Sequence, residues 1–218
     1  MRKMSRGMRV LYRVGGLMTI LGFAGWFGAF VLGGFGLTGL VPSHIELPLG
    51  HICDMAVDET GRIYCAAGPY ARVQVYSAEG EFIRGIPSRS RGGGVTHIEI
   101  DSEGLLHIAI SRKSWHYVFD QHGRVLRSFQ DPRYYDRLSG DKGQLCDKVG
   151  NRYKVSPSVF WPRVLRIDPS GNAQTVVSTP IPLWFIMMPL PAWLFALMGM
   201  VLLGLSDRLA KGRSRRRG

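Results

Sequence analysis

Between residues 50 and 178 apolar positions alternate with polar ones at a period of two, and the alternation is broken at intervals by an acidic or polar residue leading to a glycine. Such alternation reads as half-buried β-strands joined by tight turns. One pattern is written three times. HICDMAVDETGRIYCAAG leads into RVQVYSAEGEFIRGI, THIEIDSEGLLHIAIS into YVFDQHGRVLRSF, and QLCDKVGNRYKV into RVLRIDPSGNAQTVV. Gly61, Gly104 and Gly150 close the first turns and Gly80, Gly123 and Gly171 the second, 19, 19 and 21 residues apart within copies. A repeat in the forties with four short strands per unit predicts propeller-like blades, at about 50–87, 94–129 and 143–178. Within the units, Val57 is expected opposite Ile63 and Met55 opposite Cys65, while Ile98, Ile100, Leu106, Ile108 and Ile110 share one face. The third unit has a shortened first hairpin and carries Arg152 and Lys154 where apolar residues are expected, as terminal repeats often do.

Two uncharged apolar runs flank this region, 17–41 and 182–205, each long enough to span a bilayer as a helix. The first exceeds a usual signal-peptide core and lacks an Ala-x-Ala cleavage site, so it is expected to be retained. Gly25, Ala29 and Gly33 recur at four-residue spacing and predict a face for close helix packing. Pro189 and Pro191 are expected to kink or break the second run near its first third. The fold class is thus a membrane protein in which two transmembrane α-helices flank an all-β domain over 42–181.

Charge settles the orientation. The chain has 28 Lys and Arg against 16 Asp and Glu. The arms at 1–16 and 206–218 hold eleven of those bases against one acid, Asp207, which leaves 17 bases and 15 acids between them. A basic globular surface for nucleic acid is therefore not expected. Basic arms beside apolar runs fit cytoplasmic helix ends and anionic lipid headgroups. No Lys or Arg lies between Val41 and Gly61. Both termini are expected in the cytoplasm and the β domain outside, in a bacterial inner (plasma) membrane.

The repeats resemble NHL repeats, blade units that run apolar-x-apolar-Asp-x-x-Gly-x-apolar-Tyr-apolar, then Arg-Val-x-Val-Phe/Tyr and a second glycine turn. MAVDETGRIYCAAG with RVQVYSAEGEFI follows that pattern; the second copy has His107 in place of tyrosine, and the third keeps GNRY and RVLRIDPSGN. The resemblance covers about 125 residues. It implies propeller blades, which in that family serve as binding platforms and scaffolds and, in relatives, as sugar-lactone hydrolases. Closed propellers have four to eight blades, and this chain writes three. Either two chains make a six-bladed ring or a partner closes an open arc.

Candidate chemistry is sparse. If Ile100 faces Leu106, then Glu99 faces His107 with His97 diagonal to it, a His-Glu-His set of metal-ligand type that competes with an ordinary polar strand face. No nucleophile elbow, zinc-protease helix, phosphate loop or paired-cysteine pattern occurs. No cofactor is expected. Cys53 and Cys65 lie close enough in register for a bridge to be considered, against burial as small apolar side chains. The function expected is an extracytoplasmic interaction or assembly module, a structural subunit of a membrane complex or a homodimer. The alternative is a ligand-sensing or lactonase-like hydrolytic propeller completed by dimerisation.

Overall fold

Each aspartate-to-glycine step closes a turn because the carboxylate accepts the backbone N–H groups that the turn leaves unpaired. Asp58 Oδ1 accepts from Thr60 N at 2.9 Å and Arg62 N at 3.0 Å, Asp101 Oδ1 from Glu103 N and Leu105 N at 2.9 Å each, and Asp147 Oδ1 from Val149 N and Asn151 N. Asp120 does the same in the second turn of its copy, and Ser77 Oγ takes that place in the first copy. The glycine that ends each turn must adopt positive φ, and all six do, between 76° and 93°.

A computed structural model describes residues 6–34, 37–87, 96–110, 114–131, 133, 136, 145–156, 161–179 and 189–215, with the backbone only for 29, 30, 32–34, 37, 38, 69, 96, 189 and 210–215. The chain folds as two compact units, Val31–Thr179 and Met1–Phe30 with Pro180–Gly218. In the first unit the turns generate three four-stranded antiparallel sheets like propeller blades. The first sheet is β1 (Ile52–Val57), β2 (Ile63–Ala67), β3 (Arg72–Tyr76) and β4 (Phe82–Pro87). The second is β5 (Thr96–Ile100), β6 (Leu106–Ile110), β7 (Trp115–Phe119) and β8 (Val125–Gln130). The third is β9 (Leu145–Cys146), β10 (Arg152–Val155), β11 (Arg163–Ile167) and β12 (Ala173–Ser178). Val57 pairs with Ile63 and Met55 with Cys65, as the alternation predicts.

The sheets do not stack in chain order. On one face of the first sheet, Ala56, Tyr64, Ala66, Val73 and Val75 pack against Ile98, Leu106, Ile108, Ile110 and Phe119 of the second. On its other face, Met55, Ile63, Cys65 and Tyr76 pack against Tyr153, Val164 and Val177 of the third. The order is therefore third, first, second, and every residue of β2 and β3 is buried. Residues leading into β1 help to cover the second of these faces. Gln74, fully buried, accepts from Leu47 N at 2.8 Å and donates Nε2 to Leu47 O at 2.7 Å, and Tyr76 OH donates to Glu46 Oε1 at 3.1 Å. Leu49 N donates to Thr179 Oγ1 at 2.9 Å, fastening the start of the domain to its end.

Cys53 is the extra residue of a bulge between Ile52 and Asp54, which breaks its register with Cys65. None of the three cysteines forms a disulfide, and burial pushes the Cys65 thiol up to about 12, leaving it inert.

The second unit contains α2 (Pro189–Arg215) and, as far as Phe30, α1 (Arg6–Gly34), both long and apolar enough to cross a membrane by length and composition. The apolar stretch 17–41 is not one helix, since α1 ends at Gly34 and Leu37–Leu40 form a 3-10 turn. Pro189 and Pro191 stand in the first turn of α2, where the missing N–H costs nothing; residues 182–188 lie outside the described residues. The two helices meet at small residues. A Cβ on Gly15 or Gly22 would run into Gly199 O or the backbone of Ala192 and Ala196. Gly25 is half-buried, and the side chains of Ala29 and Gly33 are outside the described set.

Two glycine variants separate backbone strain from packing. Around Gly104, at φ +76°, a Cβ meets nothing within 4 Å, so Gly104→Ala is expected to cost about 1 kcal/mol. At Gly80 the new Cβ would also strike the Val176 carbonyl of the third sheet, so Gly80→Ala is expected to cost at least about 2 kcal/mol. Urea melts of the two variants check the difference.

Candidate functional site

The polar side chains that the fold brings together lie along the first turns and first strands of the sheets. In the first sheet, Asp58 Oδ2 accepts from Tyr64 OH at 3.3 Å, and in the third, Asp147 Oδ2 accepts from Tyr153 OH at 3.0 Å. The second sheet has His107 at the equivalent position, with Nε2 2.8 Å from Asp101 Oδ2. His107 therefore stands in for the tyrosine of a clasp that holds strand to turn. Its other nitrogen, Nδ1, lies 3.1 Å from Nε2 of His116, whose side chain is buried and meets Phe129 edge-on at a centroid distance of 4.5 Å.

A carboxylate only accepts, so His107 carries a proton on Nε2 toward Asp101. In the neutral ring Nδ1 then accepts from His116 Nε2–H; in the charged ring the direction between the two histidines reverses. This three-member chain can hold or pass a proton over the length of two imidazoles.

Asp54, next to the β1 bulge, links the first and second sheets. Its Oδ2 accepts from Ile98 N at 2.9 Å and lies 3.2 Å from His97 Nδ1, and its Oδ1 accepts from Met55 N at 2.8 Å. The register puts Glu99 opposite His107 as the sequence implies. Even so, the structure sends His97 to Asp54, His107 to Asp101 and His116, and leaves Glu99 exposed. Among the described residues no three His, Cys, Asp or Glu side chains are grouped to hold a metal ion. Asp54, Asp101 and His116 were not singled out from the sequence. The signal for the clasp was there as one six-residue interval, Asp58 to Tyr64, Asp101 to His107 and Asp147 to Tyr153.

Between the first two sheets a cleft is lined by Arg62, Tyr64, Arg84, Gly104, Asp120 and Gln121 with apolar neighbours. Tyr153 of the third sheet lies against Gly61 of the first, whereas Tyr64 of the first and Gly104 of the second share the lining of this cleft.

No family model matches the chain, and no curated protein matches it. Among solved structures, it is similar to a streptogramin B lyase at 14% identity and a TM-score of 0.32, over 59% of this chain and 41% of that one. A virginiamycin B lyase from Staphylococcus aureus gives 12%, 0.32, 62% and 43% for the same quantities. A protein of unknown function from Bacteroides caccae gives 16%, 0.31, 58% and 46%. The chain spans less than half the length of each. The blade description rests on the three sheets themselves.

The turn carboxylates predict the acid response. Burial alone would raise Asp101, but bonds from His107, Leu105 and Glu103 outweigh it and hold the carboxyl below its usual range. Asp147 is also held low, with burial opposing and Asn151 and Tyr153 prevailing. Asp120 is lowered chiefly by the Arg124 N–H, and Asp168 falls to about 2 through Ser170 and Asn172. Groups whose folded pKa is depressed stabilise above the unfolded value, about pH 4, and lose that contribution as pH falls through the folded values. The domain is expected to keep its melting temperature down to about pH 4 and to lose it steadily toward about pH 2. Substitution of Asp101 by Asn should flatten that decline. His107→Tyr restores the bond to Asp101 but removes the partner of buried His116 Nε2 and is expected to lose about 1 kcal/mol, and His107→Leu, which loses both bonds, is expected to lose more.

Proposed function

We propose that this chain is a membrane-anchored extracytoplasmic β-propeller-like module for interaction and assembly, a structural subunit with no catalysis of its own. The observation that carries the reading is how its carboxylates are engaged. A hydrolytic propeller needs acids converging on an open channel, whereas Asp58, Asp101, Asp120, Asp147 and Asp168 each bind the backbone of their own turn, and Asp54 binds β5. The anchor is favoured by the outer surfaces of the helices. Leu17, Ile20 and Phe27 of α1 and Leu194, Met198 and Val201 of α2 are exposed apolar side chains that lipid would cover. A second, ligand-binding reading starts from Asp54 and His97, an acid–imidazole pair on adjacent first strands.

Thiol labelling of intact cells tests the arrangement. Cys146 is exposed on the third sheet and should react with a membrane-impermeant reagent added from outside. In a Cys146→Ser background, a cysteine replacing Ser214 in the basic tail should stay unlabelled until the cells are opened. Labelling of that position in intact cells refutes the topology.

A further inference from the structure

We infer that the face of the third sheet turned away from the first is a docking surface for anionic phospholipid headgroups, which meet the charge of Arg152, Lys154 and Arg163. The inference rests on the membrane-anchored reading and adds to it a lipid contact made by the β domain itself.

Register gives the face its members. Tyr153, Val155, Val164 and Val177 pack toward the first sheet, so alternation turns Arg152, Lys154, Arg163, Leu165 and Ile167 the other way. The three bases are exposed, and Leu165 and Ile167 are half-buried beside them. Among the described residues this face carries no Asp or Glu. Asp147 and Asp168, which follow Cys146 and Ile167 in the chain, each accept from the backbone of their own turn.

The other two repeats show what the bases replace. Counted from the turn aspartate, Arg152 corresponds to Ile63 and Leu106, and Lys154 to Cys65 and Ile108. Those four are at most 2% exposed and pack against another sheet. The third sheet ends the stack on this side, and where a neighbouring blade needs apolar side chains it presents two bases, with Arg163 as a third. A dry cover would strip those charges of water without giving them partners, which is costly. Gathered on one face, in a stretch that otherwise balances 17 bases against 15 acids, they raise a local positive potential that draws an anionic surface.

Connectivity selects lipid over an acidic protein as that surface. Arg163 pairs with Ser178 at the end of β12, and the chain passes from there to α2, which starts at Pro189. From Thr179 to Pro189 the chain reaches about 36 Å at full extension. A tether that short keeps the lipid of an anchored chain at high effective concentration around this strand end. The chemistry fits as well. Arginine presents a fork of donors that matches phosphate oxygens. The Arg163 guanidinium carbon lies 6.0 Å from the centre of the Trp161 ring, and tryptophan is a residue that settles at headgroup depth. Leu165 and Ile167 add apolar surface beside the bases, the combination by which proteins hold to the plane of a bilayer.

The test uses the full chain in bilayer discs, which leave both leaflets open. Cys146 is exposed and pairs with Arg152 on this face, so with Cys53→Ser as background a fluorophore on it reports contact with a quencher carried on lipid headgroups. Quenching should be strong in discs of phosphatidylcholine with phosphatidylglycerol and weak in phosphatidylcholine alone or at high salt. Arg152→Gln, Lys154→Gln and Arg163→Gln together should lower the ratio of docked to undocked domain about a hundredfold, from about fivefold per base, at an unchanged melting temperature. A fluorophore at Ser102→Cys, on the sheet at the other end of the stack, should be quenched less. Quenching at Cys146 that ignores phosphatidylglycerol or the triple variant overturns the proposal, since the tether alone then explains it, and so does stronger quenching at Ser102→Cys. An acidic protein that leaves the chain in the triple variant, with no effect of phosphatidylglycerol, assigns the face to that protein and overturns the lipid contact while the anchor stands. A chain that does not enter the bilayer sinks the anchor and the proposal with it. Reversed thiol labelling in cells moves the domain to the cytoplasm and leaves the result in discs unchanged.

Discussion

Everything in the β domain depends on a carboxylate closing a turn. At the first turns Asp58, Asp101 and Asp147 each gather two backbone N–H groups and then reach with the second oxygen to a side chain six residues on. That fixes where one strand stops, where the next starts and which residues face each other, before any sheet touches another. A one-residue slip would turn every apolar side chain to the wrong face. The glycine at positive φ and the aspartate act as one unit, because the carboxylate can reach the amides beyond the turn only if the glycine bends the chain back.

With the hairpins set, packing decides how the sheets assemble. The first sheet is suited to being covered on both sides because β1 and β2 carry small side chains, Ala56, Cys65, Ala66 and Ala67, all nearly free of solvent. Small residues let two neighbours approach while Tyr64 and Tyr76 fill the space on opposite faces. Arg72 shows the cost of that position. Its guanidinium is buried, donates to Pro42 O and Ser43 O, and lies where any side chain at residue 85 would have to go, which is why Gly85 is glycine.

What the sequence makes legible follows the range of the interaction. Turns, strand pairs and the shared face of Ile98, Leu106, Ile108 and Ile110 are local and periodic, and the structure has them where the alternation implies. The order of the sheets is a long-range matter decided by which apolar faces fit, and no residue in the chain announces that the third sheet lies beside the first. The helix boundaries moved for local reasons. Arg6, Arg9 and Arg13 continue the helix as easily as leucine does, and a proline in the first turn starts a helix instead of breaking it. For the histidines, period-two reasoning found the right strand face but not the bonds, because His107 bonds along its own strand and turn to Asp101 and sideways to His116, not straight across to Glu99.

The substitution of histidine for tyrosine in one clasp of three has a physical consequence. Tyr64 and Tyr153 each end their hydrogen bonding at the carboxylate and present an apolar ring to the neighbouring sheet. His107 makes the same bond to Asp101 but keeps a second polar atom, and a second imidazole, His116, is needed to satisfy it. Burying that pair asks more of the surroundings than burying a phenol ring, since each nitrogen must keep a partner when water leaves.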